Sequence, residues 1–510
     1  MRTRYSFYNM LISIISGVLL PVLGFVKVRL FISLYGDALN GLYLVFNQII
    51  SYINICELSF SLAFRQLLFD PLARDDREKV NEIYSGVANI YHIVGWIVII
   101  SSIIVSFGVP LFTDKVVSSL EMSALFLLMC LPFGISYFIL PPSLVIIADQ
   151  KEYKVSFWIQ TIAIIRMVLM ILVIRMRLSY VLIFVIEGLN VLISNIVSNW
   201  IARKEYPWLK RNKNIKSNKD FLASAKATTV QRLSNVAINN SDSIIINLMM
   251  NLRAVSVYGA YSYLIEAAMK IINSVISSPI NSFGNLFSTD KDASYSVFEE
   301  FYEFSSYMAT LLAVCIFAVL DEFVVIWVNQ SSYVLPISAS VIFSINVFYL
   351  TQRESIILIR DANRLFIEAE KNAYLMTAVK IILSFLFVYR YGLVGVLLGT
   401  LVAYGTVDLL YNPRLVYEKV FDKDSRIYYG KLLVRLILTA VIASISYMIY
   451  QRFIPYVSGS LVKFILSLGA IGIISLVLVT VAYYSLFPQF RRFISRVIRL
   501  ISSRKAKEYS

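Results

Sequence analysis

The sequence predicts an all-α polytopic membrane protein of about fourteen transmembrane helices, as two pseudo-symmetric six-helix lobes plus two C-terminal helices. Composition is the first observation behind this: of 510 residues, 58% are hydrophobic and only 15% charged. Soluble proteins carry about 45–50% apolar and about 25% charged residues, and the mean hydropathy here is +0.72. The second is recurrence, since one apolar stretch after another approaches the roughly 20 residues that an α-helix needs to cross a bilayer. The third is charge placement. Alternate loops hold about 29 Lys and Arg, the intervening loops only about 6, the bias that orients membrane proteins. It places both termini and the basic loops in the cytoplasm, which requires an even number of spans.

Taken in order, the first lobe (1–201) holds spans at about 8–34, 40–68, 83–111, 120–147, 155–175 and 179–201. The opening stretch exceeds the ~7–15 residues of a signal-peptide core and lacks a small-residue cleavage site, so it is expected to be a retained span. Tyr35-Gly36-Asp37 breaks the chain before the second span. Pro132, Pro141 and Pro142 in the fourth suggest a kink or a gate. The segment 202–220 is a basic cytoplasmic linker suited to anionic headgroups. The second lobe (221–417) has spans at about 221–249, 254–287, 298–328, 332–359, 372–389 and 392–417, with Pro279 and Pro336 as further kink positions. Two extra helices, 431–453 and 460–486, lie within 418–486. In the basic tail, 487–510, Arg492, Arg496 and Arg499 fall on one side of an amphipathic helix, as for an interfacial helix on the inner leaflet.

The halves echo each other. A shift of 215 residues lays Lys27 on Asp242, and Leu39-Asn40-Gly41-Leu42-Tyr43 on Ala254-Val255-Ser256-Val257-Tyr258. Six spans per half make the repeats parallel.

Several function classes are disfavoured. Cys56, Cys130 and Cys315 sit in apolar runs at unrelated spacing, and His92 is the single histidine, so neither a disulfide framework nor a metal site is expected. The net charge of +15 belongs to the loops rather than to nucleic-acid binding. No loop is long enough for a catalytic domain. Asp75-Asp76 and Asp422-Lys423-Asp424 read as solvated loop charge, so the chain is not expected to be an enzyme.

Charge inside the bilayer is the functional signal, because it costs at least ~3 kcal/mol at the centre and faces a cavity or a partner. Lys27, Arg29, Arg166, Arg232, Lys270 and Lys380 are the candidates for a cavity that receives an anion. Lys27 lies about 12 Å beneath the outer end of its helix. Lys27 and Arg29 lie about 200° apart on a helix and cannot share one face unless it is broken, and Lys27 is the one assigned to the cavity. Glu57, Glu187, Asp242, Glu266 and Asp408 either couple transport to Na⁺ or H⁺ or pair with nearby cations. Glu266 and Lys270 have the i, i+4 spacing of a helical ion pair. Arg65, Arg353 and Glu354 lie close enough to the cytoplasmic face to snorkel. No cofactor is expected beyond such an ion.

The segment containing Gly36, Leu39-Asn40-Gly41-Leu42, Asn47, Glu57-Leu58 and Asp70-Pro71-Leu72-Ala73 resembles bacterial polysaccharide flippases. These form the polysaccharide transporter branch of the multidrug/oligosaccharidyl-lipid/polysaccharide exporter superfamily. Asn240-Ser241-Asp242 and Val257-Tyr258-Gly259 extend the likeness. Ser59 departs from it, where family members often carry Gly. The resemblance implies two lobes forming a V around a central cavity in a bacterial cytoplasmic membrane. It implies a substrate of undecaprenyl-pyrophosphate-linked oligosaccharide, moved from inner to outer leaflet for cell-surface polysaccharide assembly beside other assembly proteins. The alternative is a multidrug or organic-cation antiporter of the same fold. Against it, a cation site should be dominated by acids and aromatics, and the deep charges here lean basic.

Overall fold

In a computed structural model the described residues are 2–212, 234, 236–277, 291–363, 365, 368–453 and 461–508. They are nearly all helical, with no strand among them. The chain divides into two compact units, Met1–Gly259 and Ala260–Ser510.

The first unit contains α1 (Arg2–Tyr35), α2 (Asp37–Ile53), α3 (Ile55–Ala73), α4 (Arg77–Phe112) and α5 (Ser119–Ser136). It continues with α6 (Pro141–Ala148), α7 (Tyr153–Arg175), α8 (Val181–Glu205) and α9 (Asp242–Met249), and α10 (Leu252–Ser277) leads out of it. The second unit contains α11 (Lys291–Val328), α12 (Ile337–Ala362), α13 (Glu370–Tyr391) and α14 (Leu393–Ala403). A π-helical turn, Tyr404–Asp408, joins α14 to α15 (Leu409–Lys419), and α16 (Arg426–Phe453), α17 (Leu461–Leu486) and α18 (Pro488–Glu508) complete it.

Ten helices among the described residues are long and apolar enough to cross a membrane, and the fold is that of a multi-pass membrane protein. They match ten of the expected spans. The other four are 221–249, about half of which lies outside the described residues, and 40–68, 254–287 and 332–359. Those last three stretches carry Glu57 with Arg65, Glu266 with Lys270, and Arg353 with Glu354.

Helix α4 shows the physics of the bilayer. Gly95, Ser102 and Ser106 face inward beside Tyr91, Val94 and Val98, while Ile97, Ile100, Ile104 and Phe107 are exposed. A soluble helix would bury the large apolar residues. Here lipid solvates them, and small residues let helices approach and hydrogen-bond. The Ser102 hydroxyl donates to Cys130 Sγ at 3.0 Å, and Ser123 donates to the Ser106 carbonyl at 2.7 Å.

Breaks in the helices follow local chemistry. Gly36 adopts φ +91 between α1 and α2, a left-handed conformation open to glycine. The expected span 40–68 is two helices, interrupted at Asn54, whose Oδ1 accepts from the Tyr137 hydroxyl at 3.1 Å. The span expected at 120–147 is likewise broken, because Pro141 and Pro142 lack the N–H that would continue the ladder and instead begin α6. Asp76 and Ser118 cap α4 and α5 by accepting from Lys79 N and Glu121 N.

Gly41 is where α2 and α10 touch. A Cβ there would lie 1.9 Å from the Leu252 carbonyl oxygen, so only glycine fits. Beside it, Asn40 Nδ2 donates to Ser256 Oγ at 2.8 Å and Arg253 pairs with Asp37 at 3.0 Å. The two segments that match each other in sequence are therefore in contact.

At the end of α8 the first residues of the basic linker return to the bundle. Tyr206 donates to Asp149 Oδ2 at 2.6 Å, Lys151 bridges Asp149 and Glu205, and Trp208 stacks beneath Arg77. Burial, and then the Asp149 carboxylate, raise the Tyr206 hydroxyl well above its usual pKa, which keeps it a donor.

Candidate functional site

In the first unit four helices bring a charged group each, or an aromatic, to one place. Lys27 comes from α1, Tyr43 from α2, Arg166 from α7 and Glu187 from α8. Glu187 spends both carboxylate oxygens: Oε1 pairs with Arg166, and Oε2 accepts from the Tyr43 hydroxyl at 2.5 Å. Lys27 is 4% exposed, and its ammonium lies 3.6 Å from the centre of the Tyr43 ring and 5.0 Å from that of Phe31. Arg166 and Glu187 both act on it through space. Among the described residues no carboxylate forms an ion pair with Lys27. Two cations against one anion leave the cluster with a positive excess, softened only by the negative faces of two aromatic rings.

Each member is where its helix requires it. Phe46 and Phe184 wedge edge-to-face at 5.9 Å and fix the Tyr43 side of α2 against α8. Tyr43 is thus held at both ends, its ring against Lys27 and its hydroxyl against Glu187. It is the member that sequence reasoning missed, since a tyrosine among 33 gives no signal without the acid it meets.

The other expected residues fall as follows. Arg29 is half-buried on α1, two residues beyond Lys27 and on another face. Asp242 is buried at the start of α9, where Tyr258 donates to its Oδ2 at 2.6 Å. Lys380 is buried on α13, and Glu266 and Lys270 are exposed on α10. Arg232 lies outside the described residues, as does the side chain of Glu57.

Asp408 ends the π turn, and its oxygens are also occupied. Tyr349 donates to Oδ2 at 2.8 Å, Asn412 donates to Oδ1 at 2.7 Å, and Arg353 Nε lies 3.4 Å from Oδ2. Arg353, expected to snorkel, is instead 17% exposed and stands against this carboxylate.

A third set of charges was not anticipated. Glu299, Glu300 and Glu303 on α11 are all buried and take Lys431 and Arg435 from α16 and Arg496 from α18. Arg496 therefore turns toward Glu300, and Phe493 stacks on Phe304 at 4.6 Å. The spacing of Glu299 to Glu303 and of Lys431 to Arg435, each i, i+4, could have announced the match.

No protein-family profile and no curated protein sequence matches the chain. Solved structures do, through the fold. The chain shares its polytopic helical fold with flippase and multidrug-transporter structures. One is the lipid II flippase MurJ in an inward closed conformation, with a TM-score of 0.70, 16% identity, and coverage of 94% of this chain and 99% of that one. A multidrug resistance MATE family transporter of the MOP superfamily in an inward-facing conformation has a TM-score of 0.59 at 12% identity, covering 76% and 93%. The eukaryotic MATE transporter AtDTX14 follows at 0.51 and 12%, covering 84% and 99%.

Proposed function

We propose that this chain is a flippase that moves undecaprenyl-pyrophosphate-linked oligosaccharide from the inner to the outer leaflet by alternating access. It would serve cell-surface polysaccharide assembly in a bacterial cytoplasmic membrane, with both termini cytoplasmic. The observation that carries this reading is Lys27, a buried ammonium in a membrane span with no carboxylate among the described residues paired to it. A buried cation without a counterion is expensive, and a pyrophosphate headgroup supplies the missing anion. Arg166 beside it offers a planar fork for phosphate oxygens once Glu187 yields. The polyprenyl tail would remain in lipid.

Glu187 and Asp408 act in this reading as holders of Arg166 and Arg353, because their oxygens are taken. The alternative of an organic-cation antiporter draws support from the MATE-like fold. Proteoliposomes carrying the full chain separate the two. The flippase reading expects leaflet transfer of labelled polyprenyl-pyrophosphate oligosaccharide and no export of an organic cation such as tetraphenylphosphonium. The reverse result establishes the antiporter.

A further inference from the structure

The second unit holds a guanidinium that is aimed but not consumed. Arg353 Nε is 3.4 Å from Asp408 Oδ2 yet makes no hydrogen bond, and its Cζ lies 5.0 Å from the Tyr404 ring centre. Neither Nη atom bonds to any described residue, although the two together offer four N–H donors. One residue earlier, Gln352 accepts from Tyr428 at 2.9 Å and leaves its own buried Nε2 without a partner. Arg353 Nε and Gln352 Nε2 are thus buried donors with no acceptor to meet them, where buried polar groups are normally paired, and the Nη edge of Arg353 is left open.

The holder of Arg353 is itself hydrogen-bonded in place. Asp408 accepts from Tyr349 and Asn412, and Asn412 in turn accepts from Arg360 Nη1 at 3.1 Å. Asp408 itself sits on a π turn, a rare irregularity frequent at functional sites, which displaces its side chain from the regular helical register. Asp408 therefore neutralises and orients Arg353 without filling its outer edge. Glu354 follows in sequence but projects about 100° further round the helix, and Arg360 adds positive charge behind the holder.

We propose that Arg353 is a second anion-receiving group, which takes the phosphate oxygens of a lipid headgroup and is aimed by Asp408, Tyr349, Asn412 and Tyr404. It rests on the flippase reading only in the source of that phosphate, the transported lipid-linked pyrophosphate. A bilayer phospholipid offers the same chemistry.

The test is native mass spectrometry of the full chain, titrated with undecaprenyl diphosphate and separately with phosphatidylglycerol. Arg353→Gln should weaken binding about tenfold or more, the loss of charge-assisted hydrogen bonds. Arg353→Lys should recover only part of it, because a point charge lacks the fork. Arg353→Gln with Asp408→Asn removes the charge together with its holder, and must show the same loss in a variant spared an uncompensated acid. A loss confined to the diphosphate assigns the site to the transported lipid, and a loss for both lipids assigns it to headgroup phosphate in general. Unchanged binding of both lipids in the single and double variants overturns the proposal. Arg353-dependent phosphatidylglycerol binding by a chain that transfers no lipid-linked sugar keeps this site and removes the flippase reading. Normal transfer with Arg353-independent binding does the opposite.

Discussion

Lys27 and Glu187 divide the work in the cluster that α1, α2, α7 and α8 form. Glu187 holds Arg166 and the Tyr43 hydroxyl, so its loss leaves a buried guanidinium without a counterion. Glu187→Gln should cost ~3–5 kcal/mol of stability, seen as a lowered melting temperature of the detergent-solubilised protein. Tyr43→Phe removes one hydrogen bond and keeps the ring, so its cost should be nearer ~1–2 kcal/mol. A Tyr43→Phe variant as unstable as Glu187→Gln would mean that the hydroxyl, not the ion pair, holds the cluster. Lys27, which has no paired carboxylate among the described residues to release, should be replaceable by Met with little loss of stability and a large loss of transport. The sequence made Lys27, Arg166 and Glu187 visible as charges at depth. It left their grouping unreadable, because that depends on how α1, α2, α7 and α8 pack.

Helix α11 is tied to its neighbours by charge, its buried Glu299, Glu300 and Glu303 taking cations from α16 and α18. Glu303 is 0% and Arg435 7% exposed by side chain. Glu303→Gln alone should destabilise by ~3–5 kcal/mol, while Glu303→Leu with Arg435→Met should restore most of it, since apolar pairs replace buried ion pairs at little cost. Equal melting temperatures for the single and double variants would contradict this. Gly41→Val should also destabilise, by ~1–3 kcal/mol or more, because its Cβ would meet the Leu252 backbone. Hydropathy located most helices because length and apolarity are local properties. It joined α2 to α3 and α5 to α6 because a polar Asn54 and a pair of prolines barely lower a window average. It did not single out Glu299 or Lys431, because both stand at span ends, where a charge looks solvated until its partner helix is known.

For the molecule as a whole, composition was enough to define a multi-pass membrane fold, and solved structures at 16% identity or less share it. Such likeness carries architecture, not substrate, so the chemistry has to come from residues such as Lys27. Orientation is testable through the bias of about 29 basic residues against about 6. A cysteine placed at Gln150 should react with an impermeant maleimide only from the cytoplasmic side, and one at Asn329 only from the outside. The opposite labelling would invert the topology and the direction of transport. The proposed function requires that Lys27, buried and paired with no carboxylate among the described residues, receives the anionic head of a lipid-linked sugar. Its most direct measurement is the rate of leaflet transfer of labelled undecaprenyl-pyrophosphate oligosaccharide in proteoliposomes, for wild type, Lys27→Met and Lys27→Arg. Loss of one charge-assisted contact predicts a fall of roughly 10- to 100-fold in the methionine variant, with substantial recovery in the arginine variant. A methionine variant that transfers at the wild-type rate, with its fold intact, would contradict the account.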